Sequence, residues 1–257
     1  MQSSQEPLTD SSWEYIKKII DNGRKRKTDL RMVFDAILWM TRTGAQWRNI
    51  DSMYKPHLPI IQYYYYSWQK KGILTKALDS LVRTVRKLKG DESSPSRVAF
   101  DSQSVKSVPF VNQDKGIDGN KRINGRKRHI AVDKYGLPLA IHVSAANCHD
   151  SPEGLELLWQ LEKYERIELC CVDNAYHGTF EDGVEFYGWQ IEFGQKPESK
   201  QGFIPQKGRW QVERSFAWCN FYRRLSKEFE KTVNSTVSFI QLAFINMILA
   251  KIHRLKT

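Results

Sequence analysis

Between Leu88 and Arg97 the hydrophobic pattern of this 257-residue chain changes period. Upstream, apolar residues recur at helical spacing: Trp13, Ile16 and Ile20, then Val33, Ala36, Ile37 and Met40. Downstream they come as short runs, RVAF (97–100), HIAV (129–132), LPLAIHV (137–143) and IELCCV (167–172). A helical period and a strand period bury different faces, so one packing scheme cannot serve both. The chain must therefore divide into a helical part and an α/β part. KGDESSPS (89–96) is a linker by composition. We read a small all-helical domain over residues 1–90 and a mixed α/β domain over 97–257.

In the first part the pattern predicts helices ending near Ile20 and Arg42, the second stopped by Gly44, and two more over 60–70 and 74–88. The run IIQYYYYSWQKKG reads either as a DNA-facing helix or as the aromatic packing of a bundle. In the second part, residues 105–126 form a polar loop. Two strands flank DKYG, a hairpin signal in which Asp133 serves the turn. Ser151 caps a helix to about Arg166, with His149 and Asp150 just ahead of it, read as structural first. A strand ends at Val172, a short helix covers 178–186, and another strand covers 189–193. A long helix spans 208–230. A last helix, 237–254, is nearly apolar, too short and punctuated to span a bilayer, and is expected to pack on the sheet.

Composition narrows the function. Forty Lys and Arg against 29 acids give a net charge of +11, which suits a polyanionic partner, nucleic acid before membrane. A 40% hydrophobic content excludes a disordered chain. The N-terminus lacks a signal-peptide pattern. Cys148, Cys170, Cys171 and Cys219 have no zinc-ligand spacing and read as reduced, buried thiols of a cytoplasmic protein.

Three acids stand out. Asp101 follows RVAF directly, Asp173 follows ELCCV directly, and Glu213 lies on the 208–230 helix. On a helical wheel Arg209, Ala217, Asn220 and Arg224 fall within about 40° of Glu213. Val212, Phe216 and Cys219 flank that stripe on one side, Trp210 and Phe221 on the other. A Glu213–Arg209 helix pair explains this locally; a shared site with the two aspartates explains it globally. Two strand ends and a helix can gather three carboxylates at a sheet edge. Such a set suits Mg²⁺ or Mn²⁺, and two ions about 3.5–4 Å apart serve phosphodiester chemistry. The run KRINGRKRH (121–129) is either a solvated loop or a backbone grip, and we assign Arg126, Lys127 and Arg128 to DNA.

Five stretches together resemble one family: RMVFDAILWMTRTGAQWRNI, FDSQSVKS, DGNKRINGRKRHIAVDKYGLPLAIHVSAANCHD, VDNAYHG and RWQVERSFAWCNFYRRLSKEFEK. In this order they are similar to bacterial insertion-sequence transposases of the DDE type, in the group named after insertion sequence five. The resemblance implies a ribonuclease-H-like mixed sheet flanked by helices, with Asp101, Asp173 and Glu213 as catalytic, metal-holding acids. It implies metal-dependent cleavage and strand transfer of double-stranded DNA, at the element's terminal inverted repeats and at a target. It also implies a homo-oligomer, a dimer when assembled on DNA ends, acting in the bacterial cytoplasm at the nucleoid. Arg209 matches the family pattern. Gln206 and Asn220 stand where relatives carry Tyr and Lys, and Arg223 or Arg224 is read as a substitute. A ribonuclease-H-like or structure-specific nuclease without strand transfer is the alternative.

Overall fold

The computed structural model describes residues 8–52, 54–194 and 210–256. The chain forms two compact units, and neither is continuous in sequence. One joins the stretch up to Asp91 with Cys219–Lys227 and the segment from Asn234 onward; the other joins Glu92–Trp218 with Glu228–Val233.

The first unit is helical. α1 (Asp10–Ile20) is capped by Thr9, and α2 (Leu30–Thr43) by Asp29, whose carboxylate accepts from Arg31 N at 2.8 Å. Gly44 ends α2 in the left-handed region with φ +71, a conformation that costs glycine little. α3 (Leu58–Lys70) and α4 (Ile73–Leu88) follow, as the helical spacing predicts. Their core partner comes from the far end of the sequence. α8 (Val233–Lys256) inserts Phe239 against Tyr65 and Trp47, with ring centroids 5.2 and 6.4 Å apart. Gln69 bonds Ser238, and Gln241 bonds Thr75, each at 2.9 Å.

Two expectations about this helix are corrected. It is longer than the sequence suggested, and it belongs to the unit of the N-terminal helices and not to the sheet unit. By length and composition α8 could cross a membrane, yet 67% of its most apolar window is buried inside the protein. A helix apolar on nearly every side needs partners all around, and helices supply them here.

The second unit holds a six-stranded mixed sheet: β1 (Arg97–Lys106), β2 (Gly116–Asp118), β3 (Ile123–Val132), β4 (Pro138–Ala145), β5 (Leu169–Val172) and β6 (Gln190–Phe193). The spatial order is β4-β3-β1-β5-β6, with β2 extending the pairing at the start of β3. Pairings among β1 to β4 are antiparallel, and β1-β5-β6 is parallel. This is the ribonuclease-H-like arrangement that the family resemblance implies. Strand alternation divides the side chains. Ala99, Asp101, Gln103 and Val105 share one face with Arg126, Arg128 and Ile130; Phe100, Ser102 and Ser104 share the other with Lys127 and His129. α5 (Asp150–Leu161) and α6 (Thr179–Phe186) cover that second face, where Phe100 meets Phe180 at 5.1 Å. Gly154 permits the approach: a Cβ there would stand 2.5 Å from the Phe180 ring.

Several boundaries differ from the sequence reading. β1 runs through SQSVK because eight successive residue pairs tie it to β3, so Asp101 lies inside a strand and not beyond its end. The loop assigned to 105–126 contains β2 and the start of β3. α7 (Trp210–Cys219) stops well short of residue 230.

Because Phe239 is fully buried among aromatic neighbours, Phe239→Ala should lower stability by about 3–5 kcal/mol. Urea unfolding measures it. A change below about 1 kcal/mol would show that α8 is not a core element of this unit.

Candidate active site

The parallel register of β1 and β5 places two of the three acids. The last registered pair is Ala99 with Cys171, and two residues further along each strand come Asp101 and Asp173. Asp173 keeps extended backbone angles, φ −95 and ψ 177, so the strand direction carries through it. Both side chains therefore leave the same sheet face at the same level, from strands about 4.8 Å apart. Both are half-buried. Asp101 Oδ1 accepts from Ser102 N at 2.8 Å, and Asp173 Oδ1 from Ala175 N at 3.0 Å. Short backbone bonds of this kind fix the rotation of each carboxylate.

Glu213 comes from α7, whose buried side is Val212, Ser215, Phe216 and Cys219. The expected second apolar flank is absent: Trp210 and Phe221 are exposed, and Phe221 lies beyond the helix. Glu213 is half-buried at the edge of the packed side. The helix is docked on the β3–β4 turn. Ser215 Oγ donates to Gly136 O and Arg214 Nη2 to Tyr135 O, both at 2.8 Å. Gly136 has φ +72, and a Cβ on it would stand 2.8 Å from Ser215 Oγ, so only glycine fits. Asp133 organises this turn, its Oδ1 accepting from Tyr135 N and Leu137 N at 2.9 Å, which is the structural role read from the sequence. The turn begins three residues along β3 from Ile130, the partner of Asp101.

Among the described residues, no three His, Cys, Asp or Glu side chains converge into a ready-made metal cage. The structure thus aligns Asp101 with Asp173 and docks the Glu213 helix on the same unit, without closing the three acids around a point. The donor chemistry still fits a hard divalent cation, because the aligned donors are carboxylate oxygens. Cys171 shares their face, but burial pushes its thiol pKa up, as it does for Cys170, so neither offers a thiolate.

The DNA-contact assignments change most. Arg126 is 0% exposed and Arg128 2%. Arg126 donates to four main-chain oxygens, those of Gln113, Asp114, Glu230 and Lys231, at 2.9–3.2 Å. Glu228 lies 3.7 Å from Arg126 and 3.9 Å from Arg128, itself only 1% exposed. Lys127 points to the opposite face, where its Nζ meets Cys148 O at 2.7 Å and Asp150 Oδ1 at 2.9 Å. None of the three is a surface grip on DNA. A run of charges looks solvated in sequence, but the strand pairing of β3 buries both of its faces. Next to them His129 is fully buried, bonded to Ser144 Oγ at 2.9 Å. Burial first, then the charges of His142 and Lys127, lowers its pKa from 6.5 to about 3. The exposed members of the basic run are Lys121 and Arg122, at the β2–β3 tip.

Arg224 is also corrected. It lies in a short 3-10 turn (Arg223–Leu225), not on the Glu213 helix; it is buried, bonds Ala45 O at 3.1 Å and covers the Phe239 ring at 5.0 Å. Arg223 beside it is exposed. Arg209 and Gln206 lie outside the described residues, and Asn220 is exposed just past α7. Sequence reasoning missed Glu228, hidden inside a helix drawn too long, and missed that Ser102 and Asp150 would meet.

Loss of Arg126 should act on folding and not on DNA. Arg126→Ala removes the donor to four carbonyl groups and leaves Glu228 with Arg128 as its nearby cation, which should cost about 3–5 kcal/mol. The salt dependence of DNA binding should not change. An unchanged denaturation midpoint with a shallower salt slope would return Arg126 to the DNA surface.

Comparison with known proteins agrees with this architecture. Residues 92–248 match the family model described as "Transposase DDE domain", and residues 8–78 match "Putative transposase of IS4/5 family". A protein of Sinorhizobium fredii called "Uncharacterized protein y4sN" is 34% identical over 80 residues, 30% of this chain and 63% of the relative. A protein of Burkholderia cepacia called "Putative transposase for insertion sequence element IS402" is 28% identical over 127 residues, 46% of this chain and 60% of the relative. The chain spans less than two thirds of the length of either relative. With the model of the catalytic domain covering more than half of its residues, this chain belongs to the DDE transposase family.

Proposed function

We propose that the chain is a DNA transposase that binds the ends of its insertion sequence, cleaves them and joins them to target DNA. The observation that carries this reading is the alignment of Asp101 with Asp173 on adjacent parallel strands, inside the region similar to transposase domains. Asp101, Asp173 and Glu213 are the residues proposed to hold Mg²⁺ or Mn²⁺, as two ions. When bound, such ions polarise the scissile phosphodiester and activate the attacking hydroxyl. The chain's own part is to present carboxylates already turned by main-chain hydrogen bonds, and to carry Glu213 on a helix anchored to the sheet by Ser215. Closing Glu213 toward the aspartates belongs, in this reading, to the DNA-bound state.

DNA contacts are proposed for the exposed cations Lys115, Lys121 and Arg122 around the β2–β3 hairpin, and for Arg209 and Arg223. In the helical unit, Arg24, Lys25 and Lys27 are exposed, as are Tyr63, Tyr66 and Lys70 on one side of α3. That combination of cations and aromatic surface supports end recognition by this unit. The active assembly is proposed to be a dimer pairing two DNA ends in the bacterial cytoplasm.

The test uses a duplex carrying the element's end, with Mg²⁺. Asp101→Asn, Asp173→Asn and Glu213→Gln should each abolish cleavage while leaving DNA binding intact. Cleavage by any one of them would remove that residue from the mechanism. Cleaved ends that never join target DNA would favour the nuclease alternative.

In a separate titration, Lys121→Glu combined with Arg122→Glu should weaken binding to all sequences and flatten its salt slope by roughly one unit per lost contact. An unchanged slope would make the hairpin a bystander.

A further inference from the structure

We propose that Ser102, Asp150 and Lys127 form a brace behind the sheet that positions the Asp101 carboxylate for its metal. The inference rests on the reading of Asp101 as a metal-holding acid. Asp101 and Ser102 are consecutive in β1, so their side chains leave opposite faces. The Ser102 amide donates to Asp101 Oδ1 at 2.8 Å on one side. On the other, the Ser102 hydroxyl donates to Asp150 Oδ1 at 2.9 Å. The same Asp150 oxygen receives Lys127 Nζ at 2.9 Å, and Lys127 also holds Cys148 O at 2.7 Å. One oxygen at the start of α5 therefore ties together β1, β3 and the turn after β4.

This arrangement is poorly explained as a stabilising device. A buried ion pair gains little over apolar packing of the same volume, because two charges must leave water. Its lysine and aspartate are 10% and 15% exposed, on a face otherwise packed by Phe100, Phe180 and Tyr176. What such a pair adds is direction. The Ser102 hydroxyl bonds Asp150 from the same residue whose amide holds Asp101 Oδ1, so the bond adds a restraint to that peptide beyond the strand register. Groups behind metal ligands commonly act this way, and their loss costs about 10–100-fold in metal affinity. Ser102, Asp150 and Lys127 touch neither metal nor DNA in this scheme; they are positioning residues.

Ser102→Ala is the informative variant, since it cuts the link while leaving the Lys127–Asp150 pair in place. The probe is Mn²⁺ alone, titrated calorimetrically into the full chain, alongside the thermal midpoint and affinity for random duplex DNA. Ser102→Ala should weaken Mn²⁺ binding about ten-fold, with the midpoint and the DNA affinity unchanged. Ser102→Thr keeps the hydroxyl and should restore binding. Asp150→Ala, measured below its unfolding temperature, should show the same metal defect, with no further loss when combined with Ser102→Ala. Wild-type Mn²⁺ affinity in Ser102→Ala overturns the brace, as does a loss that merely follows the unfolded fraction across the set. Asp101→Asn separates the two readings. If it binds Mn²⁺ normally, the assignment of the acid itself is wrong; if it loses Mn²⁺ while Ser102→Ala does not, only the brace is wrong.

Discussion

The antiparallel pairing of β1 with β3 is the constraint on which the sheet unit depends. Eight consecutive residue pairs fix which side chains share a face. A slip of one residue would exchange the faces entirely, sending Arg126 and Arg128 where Lys127 and His129 now lie. Asp101 owes its direction to this register, and so does Ser102. The parallel β1–β5 pairing then adds Asp173 beside Asp101. Site geometry here follows from hydrogen bonds between strands before any catalytic side chain is considered.

That register carries an electrostatic obligation. Placing two guanidinium groups inside a protein requires an acceptor for almost every N–H and an opposite charge nearby. Glu228 supplies the charge, and the carbonyl groups of residues 113, 114, 230 and 231 supply acceptors. This accounts for the route of the chain after α7. Residues 219–227 belong with the helical unit, 228–233 return to the sheet unit, and the following helix leaves it again. The return is short, and its purpose is chemical: Glu228 N bonds Lys106 O and its carbonyl accepts from Val108 N, holding the acid against the arginines.

Much of this was legible in the sequence, and the gaps have physical reasons. The helices up to Leu88, the β3–β4 hairpin, the strand leading to Asp173 and the duty of Asp133 follow from local periodicity and turn chemistry, which act over a few residues. The fate of Arg126, Lys127 and Arg128 does not. Their partners Glu228 and Asp150 are distant in sequence, and no local rule distinguishes a cation that meets a distant acid from one that meets water. α8 fails for a related reason. Its apolar surface announces burial without naming the partner, and helices separated from it by the whole sheet unit took that place. The early end of α7 was hidden because Arg223, Arg224, Leu225, Lys227 and Glu228 are also good helix formers; tertiary bonds of Tyr222 and Arg224 override that propensity.

The divided helical unit has a consequence for synthesis. A chain leaves the ribosome in order, at about 5–20 residues per second. α1 to α4 emerge first, yet Tyr65, Gln69 and Thr75 wait for α8 to bond them. During that interval the sheet unit can close while the helical surface stays incomplete. A message broken or stopped before α8 thus yields a product with an exposed apolar groove, open to aggregation and to proteases. Completion of α8 therefore closes the helical unit only after the residues of the sheet unit have been made.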